Sequence, residues 1–253
     1  MMCREKWRTA WITGASSGLG RALAIELASQ GVLVAASARS SDKLAVLAAD
    51  YPTIRAYPLD VTDSEALSKT AQEIETDLGS LDLAIFNAGT YEPVGLAELN
   101  PDGIRRVMAV NFHGAVDGVL AVSPGMRKQK SGQIAVVASL AGYRGLPASA
   151  AYGATKAALI NFSESIYPEL RKSGIQISVV NPGFVETPMT AKNDFPMPFI
   201  MTADDASRRT IAGLMTGKFE IAYPRRFVAI LKFMRVLPYT LYFAITQKWM
   251  LKK

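Results

Sequence analysis

Three side chains in one short stretch could do chemistry together. The segment "SLAGYRGLPASAAYGATK" runs from Ser139 to Lys156. Ser139 is read as closing an apolar, β-branched strand, and Tyr152 and Lys156 open a helical pattern. A spacing of four puts the phenol and the ammonium on one helical face. A phenol with a pKa of about 10 is a poor base at neutral pH. A neighbouring ammonium favours phenolate and lowers that pKa, which makes Tyr152 a usable proton carrier. A Tyr-x-x-x-Lys pair alone is common and mostly structural, so its meaning depends on what surrounds it.

The chain has 253 residues, 49% apolar and 20% charged, the balance of an ordinary globular protein. Short apolar runs alternate with longer helical patterns. The strands expected are Ala10–Thr13, Val32–Ser37, Ile54–Pro58, Leu83–Asn87, Ile134–Ser139, Gln176–Val180 and one near Phe219–Ala222. Helix starts are marked at Thr62–Leu67, a capping box of Thr62 and Glu65, and at Asn100–Gly103, where a capping Asn precedes Pro101. Several strands lack in/out alternation, as expected of a parallel sheet covered on both faces. The pattern predicts an α/β fold: a Rossmann-type doubly wound parallel sheet of about seven strands with helices on both faces. No repeat or linker divides it, so residues 1–224 read as one domain and 225–253 as a tail. Ligands in such sheets bind beyond the carboxyl ends of the strands.

"TGASSGLG", Thr13–Gly20, follows the first strand and opens a helix. Gly14 permits a tight turn, Gly18 lets a phosphate approach the backbone, and Gly20 lets helix and strand pack closely. The helix start offers unpaired amides to a pyrophosphate. The spacing is Gly-x-x-x-Gly-x-Gly rather than Gly-x-Gly-x-x-Gly. After the second strand, Ala38 takes the place where an acid would bind the ribose of NAD(H), and Arg39 follows. A guanidinium there can pair a 2′-phosphate, with Ser16, Ser17, Ser37 and Ser40 as further donors. The expectation is NADP(H) over NAD(H).

Taken together, "TGASSGLG", "NAG" at Asn87–Gly89, Asn111, Ser139, "YGATK" and "NPGFVETPM" at Asn181–Met189 resemble, in order and spacing, the compact form of the short-chain dehydrogenase/reductase family over residues 7–223. The resemblance implies an oxidoreductase in which Tyr152 is the acid/base. Lys156 would bind the nicotinamide ribose and lower the tyrosine pKa. Ser139 would hydrogen-bond the substrate oxygen, and Asn111 would hold a water in a proton relay. The loop Gly14, Ser16, Ser17, Gly18, Leu19 and Gly20 would hold the dinucleotide, with Asp60 and the Val61 backbone at the adenine and Asn87, Ala88 and Gly89 at the adenosine ribose. Pro182, Gly183, Val185 and Thr187 would cradle the nicotinamide. No metal is needed, and homodimers or homotetramers are implied. Other outcomes within the resemblance are an epimerase or dehydratase, or a dinucleotide-sensing or scaffolding protein that kept the fold and lost catalysis. The lone histidine, His113, reads as structural, Trp7 and Trp11 as packing residues, and Pro168 as a bend or interruption in its helix.

The segment 188–205 resembles the family's substrate loop. Met189, Phe195, Met197, Phe199, Ile200 and Met201 supply soft apolar area, which suits a small lipophilic carbonyl or alcohol. The net charge of +6 belongs to the tail, where Arg225, Arg226, Lys232, Arg235, Lys248, Lys252 and Lys253 meet no Asp or Glu. A nucleic-acid binder would spread such charge over its folded surface, so none is expected as a partner. One cysteine, Cys3, allows no internal disulfide, and no apolar leader precedes the first strand; both suit a cytoplasmic protein. The longest uncharged run of the tail, Val236–Gln247, contains Pro238 and has 12 residues. A spanning helix needs about 20. Two readings of the tail stay open: a helix lying on an anionic lipid surface at the cytoplasmic face, or an arm packed on the domain or on another subunit.

Overall fold

The computed structural model describes residues 2–250. Its strands are β1 (Thr9–Thr13), β2 (Leu33–Ala38), β3 (Ile54–Pro58), β4 (Leu83–Phe86), β5 (Gly132–Val137), β6 (Ile175–Pro182) and β7 (Glu220–Tyr223). They form one parallel sheet in the order β3-β2-β1-β4-β5-β6-β7. The helices are α1 (Met2–Lys6), α2 (Gly18–Ser29), α3 (Ser41–Asp50), α4 (Ser64–Leu78), α5 (Pro101–Met108), α6 (Gly114–Gln129), α7 (Ala150–Lys172), α8 (Ala203–Met215), α9 (Arg225–Val236) and α10 (Tyr239–Met250).

The sheet is parallel because both of its faces are covered. Every residue of β1 and of β4 is buried. Ala10, Ile12 and Ile85 pack on one side with Leu23 of α2, Leu44 of α3 and Leu214 of α8. Trp11, Phe86 and Val136 pack on the other with Ile74 of α4, Val119 of α6 and Leu159 of α7. Trp7 and Trp11 are core residues, as expected. The strand order reverses between β1 and β4, and the crevice at such a reversal is where these sheets take ligands.

Three local expectations need correction. Ser139 does not close β5, which ends two residues earlier. It begins a single 3₁₀ turn, Leu140–Gly142, and its Oγ accepts the Ala141 N–H at 3.1 Å. The cap of α4 is Asp63, not Thr62: the carboxylate accepts the Ala66 N–H at 2.9 Å. Two good capping residues stand side by side, and the Thr62 hydroxyl is drawn away to Asp60 Oδ1 at 2.8 Å. Finally, of the bend or interruption expected at Pro168, the interruption does not occur: α7 continues through it to Lys172. Leu159 and Leu170 are buried on either side of the proline, and this packing outweighs the lost backbone bond. Asn100 does cap α5, accepting the Gly103 N–H at 2.8 Å.

The tail forms α9 and α10 and rests on the body. Leu231, Tyr242 and Thr246 are buried, and Leu231 packs with Leu140 and Tyr143. Among the described residues no helix is long and apolar enough to cross a membrane. The side chains of Trp249 and Met250, and Lys252 and Lys253, lie outside the described residues.

Candidate active site

The loops after β1, β4 and β6 meet at the strand-order reversal. Gly14 (φ +71°) touches the next loop so closely that a Cβ would lie 2.8 Å from Ala88 Cα. Gly18 (φ +54°) faces Thr187, whose Cγ2 would be 2.9 Å from an added Cβ. A Cβ on Gly20 would overlap the Gly14 carbonyl. Asn87 ties these loops together: its Nδ2 donates to Thr13 O at 3.1 Å, and the Thr13 hydroxyl accepts the N–H groups of Asn87 and Ala88. Ser17 stands at the cap position of α2 but makes no side-chain cap bond, which leaves the first amides of a 12-residue helix without a side-chain acceptor. A backbone cradle closed to any Cβ, beside such amides, fits the pyrophosphate of a dinucleotide. Leu19 has its side chain in the core, so only its backbone can serve there.

At the neighbouring strand ends, Arg39 is exposed just past β2, and Asp60 lies just past β3. The Thr62 backbone N–H, foremost, and the Thr62 hydroxyl hold the Asp60 carboxyl below its usual range, with the Arg39 charge adding to the effect. Arg39 and Asp60 therefore share one corner of the crevice. Ser40 is exposed beside Arg39 and makes no cap bond to α3. Ser37 departs from expectation: it is fully buried, and its hydroxyl accepts the Trp11 indole N–H at 2.9 Å, so it is no surface donor for a phosphate. Val61 is buried and can offer only its backbone.

Ser139, Tyr152 and Lys156 do come together. Lys156 is 3% exposed, and its Nζ donates to Val137 O at 2.8 Å and lies 5.5 Å from the centre of the Tyr152 ring. Burial lowers its pKa to about 8. Burial pushes the Tyr152 phenol up to about 12, against the pull of the Ser139 hydroxyl beside it. At neutral pH the free site thus holds a protonated phenol beside a lysine that still carries its charge, and a protonated phenol is a proton donor. Asn111 is fully buried in a π-helical turn, Ala109–His113, of the kind common at functional sites. Its Oδ1 accepts the Thr90 N–H at 2.7 Å, and its Nδ2 donates to Thr90 O and Thr155 Oγ1. Both amide hydrogens are in use, so a water held by Asn111 must sit on an oxygen. His113 is exposed, with its ring edge-on to Phe112, away from this group.

On the far side, Pro182 ends β6, and the Gly183 N–H bonds to Tyr223 O at 2.8 Å. A Cβ on Gly183 would lie 3.1 Å from Phe227 of α9. Val185 pairs with Met201, closing the base of the loop between them. Thr187 is pinned by Thr190, whose hydroxyl accepts its N–H at 3.0 Å.

Two residues of this region were not foreseen. Tyr91 sets its ring edge-on to Tyr152, with centres 4.9 Å apart, and burial raises its own pKa, with Asp194 adding to the shift. Its only signal was a place two residues after "NAG". Arg144, between Ser139 and Tyr152, donates to Met234 O and Leu237 O at 2.6 and 2.8 Å and so fastens the tail to the segment that joins these two residues. Nothing in the sequence connects residues so far apart.

Known proteins share this sequence pattern and fold. Residues 8–196 match the family described as short chain dehydrogenase. An "uncharacterized oxidoreductase" of Myxococcus xanthus is 37% identical over 98% of this chain and 99% of its own. A short-chain dehydrogenase of Sphingobium yanoikuyae, solved with NADPH, superposes with a TM-score of 0.79 at 25% identity, covering 91% of this chain and 96% of its own. A short chain dehydrogenase/reductase of Burkholderia phymatum, solved with NAD, gives 0.82 at 25% identity, covering 90% and 92%.

Proposed function

This chain belongs to the short-chain dehydrogenase family, and we propose that it interconverts a carbonyl and an alcohol on a small lipophilic molecule, using NADP(H). The carrying observation is the group of half-buried Tyr152 and Ser139 with buried Lys156, beside a glycine cradle fit for a dinucleotide. When bound, the nicotinamide supplies hydride to a carbonyl carbon or takes it from a carbinol. Tyr152 gives its proton to the substrate oxygen in reduction and takes it back in oxidation. Ser139 donates a hydrogen bond to the same oxygen. Lys156 supplies positive charge that offsets the burial of a phenolate and reaches the nicotinamide ribose. The Gly14–Gly20 loop holds the pyrophosphate, Asp60 and the Val61 backbone the adenine, and Asn87, Ala88 and Gly89 the ribose. Pro182, Gly183, Val185 and Thr187 hold the nicotinamide. Asn111 fixes Thr90 and Thr155 and carries the relay water on an oxygen.

A lipophilic substrate is supported by the aromatic wall where the substrate loop meets α9. Phe184 lies 5.7 Å from Phe227, and Phe199 6.1 Å from it, centre to centre. The test is NADPH oxidation by the purified protein against carbonyls graded in chain length. Rising kcat/KM with chain length is expected. No turnover of any carbonyl, despite tight NADPH binding, would leave a sensor or scaffold instead.

NADP(H) preference is supported by Arg39, exposed past β2 with no acid in the Ala38 position. Arg39→Asp removes a charge-assisted bond of about 1.5–3 kcal/mol and adds repulsion. The NADPH to NADH ratio of kcat/KM is therefore expected to fall by about 10–100-fold or more. An unchanged ratio would remove Arg39 from this role.

A further inference from the structure

The tail exposes more apolar surface than its packing on the body covers. In α10 the buried side chains are Tyr242 and Thr246, and the Thr246 hydroxyl satisfies itself on Tyr242 O at 3.1 Å within the helix. The neighbouring Leu241, Phe243 and Ile245 point outward, with Phe243 51% exposed. In α9 Leu231 is buried, while Ile230, Phe233 and Val236 are exposed, Phe233 by 63% and Val236 by 77%. A helix resting on a soluble protein normally turns its apolar stripe inward and a polar face to water. α9 does turn Phe227, Val228, Leu231 and Met234 inward, yet both helices carry a further apolar face on the outside.

This face is not a slack segment waiting to fold down, because its inner contacts are already made. The Arg144 guanidinium lies 3.9 Å from the Tyr242 ring centre and 4.9 Å from that of Tyr239, besides its bonds to the last carbonyls of α9 and to Leu237. The Tyr242 hydroxyl donates to Gly145 O at 2.6 Å. Turning Phe243 inward would break these bonds.

The charges decide what covers the face. Arg225, Arg226, Lys232, Arg235 and Lys248 are exposed along the same two helices. No Asp or Glu occurs after Glu220. Glu220 pairs with Lys232, whereas Arg225, Arg226, Arg235 and Lys248 make no ion pair among the described residues. A second copy of this chain, meeting it face to face about a two-fold axis, would set this basic, acid-free patch against itself. An anionic lipid surface meets both demands: apolar side chains enter the acyl boundary by roughly 5–10 Å, and each cation near the headgroups contributes about 1 kcal/mol. No helix of the described residues can span, so the contact lies on the surface.

We propose that the outer face of α9 and α10 docks on an anionic membrane. The proposal does not depend on the reaction assigned above. It does place the lipid beside the substrate side, because Phe227 of α9 stacks on Phe184.

The test is co-sedimentation of the full chain with vesicles of phosphatidylcholine alone or mixed with phosphatidylglycerol. Binding to the mixed vesicles is expected, at least about tenfold weaker on the neutral ones and reduced by salt. The double variant Phe233→Glu, Phe243→Glu should keep its circular dichroism and dinucleotide binding and lose about tenfold or more of vesicle affinity. Should that variant misfold, Arg225→Gln with Arg226→Gln and Lys248→Gln changes only exposed charges and should show a similar loss. Failure of the parent to bind mixed vesicles would overturn the proposal. So would equal binding to both vesicle types, or undiminished binding by a folded variant. A parent that ignores vesicles but whose dimer is broken by Phe233→Glu would show that the occupant is a second copy.

Discussion

Tyr152→Phe should lower kcat/KM by about 10²–10⁴-fold while dinucleotide affinity stays within about twofold of the parent, the scatter expected where no contact is lost. The substitution removes one oxygen and keeps the ring. The edge contact with Tyr91 and the proximity to Lys156 survive, so the pocket has no reason to collapse. What is lost is the transferable proton, together with the hydroxyl's bond to Ser139. The same group sets the pH behaviour of the parent. Burial holds the phenol protonated well past neutrality, against the Ser139 hydroxyl, which favours phenolate. Carbonyl reduction, which consumes that proton, should therefore be nearly flat around neutral pH. Alcohol oxidation needs phenolate and should climb with pH. Steady-state rates in both directions, for parent and variant, check this. Turnover in Tyr152→Phe near the parent level, or oxidation that falls with rising pH, would remove Tyr152 as the acid/base.

The sheet was legible because each strand is a short apolar run with a turn signal after it. β3 was read to the residue, and β5 only to within two. The placement of Ser139 shows why ends are harder: hydropathy does not reveal that the chain leaves the sheet after Val137 and that a side-chain bond to Ala141 starts a new turn. Ser37 shows a second limit. A serine two residues before Arg39 reads as a phosphate donor, but in-out alternation in β2 points it at Trp11, twenty-six positions away in the chain. The site itself was readable where residues carry their own constraint, as the close approaches of Gly14, Gly18 and Gly20 do. Tyr91 and Arg144 were not readable, since their importance lies in partners set by the fold. The tail was half legible: its basic, apolar character was plain, but which face turns inward is decided by Tyr242 and Arg144.

Lys156 sets stability against function. The residue is 3% exposed, its ammonium meets no carboxylate within ion-pair distance among the described residues, and it donates to one carbonyl, Val137 O. Burial depresses its pKa from 10.5 to about 8. Unfolded chains therefore hold this proton to higher pH than the folded protein does, and between about pH 8 and 10.5 stability should rise with pH. Below that window the full penalty applies, of order 3 kcal/mol. Lys156→Met keeps the length and apolar stem of the side chain and removes the charge. The variant should fold, melt at or above the parent temperature at neutral pH, and lose the part of the alkaline rise in stability that belongs to this group. Its kcat/KM should nevertheless fall by about 10²-fold or more, because the phenolate then has no ammonium to offset its burial. The pH at which oxidation reaches half its maximum should move upward as well. Thermal melts across pH 7–11, set beside pH–rate profiles, separate the two effects. A variant that is less stable at neutral pH, or that turns over like the parent, would contradict the reading of Lys156 as a charge buried for catalysis at the expense of stability.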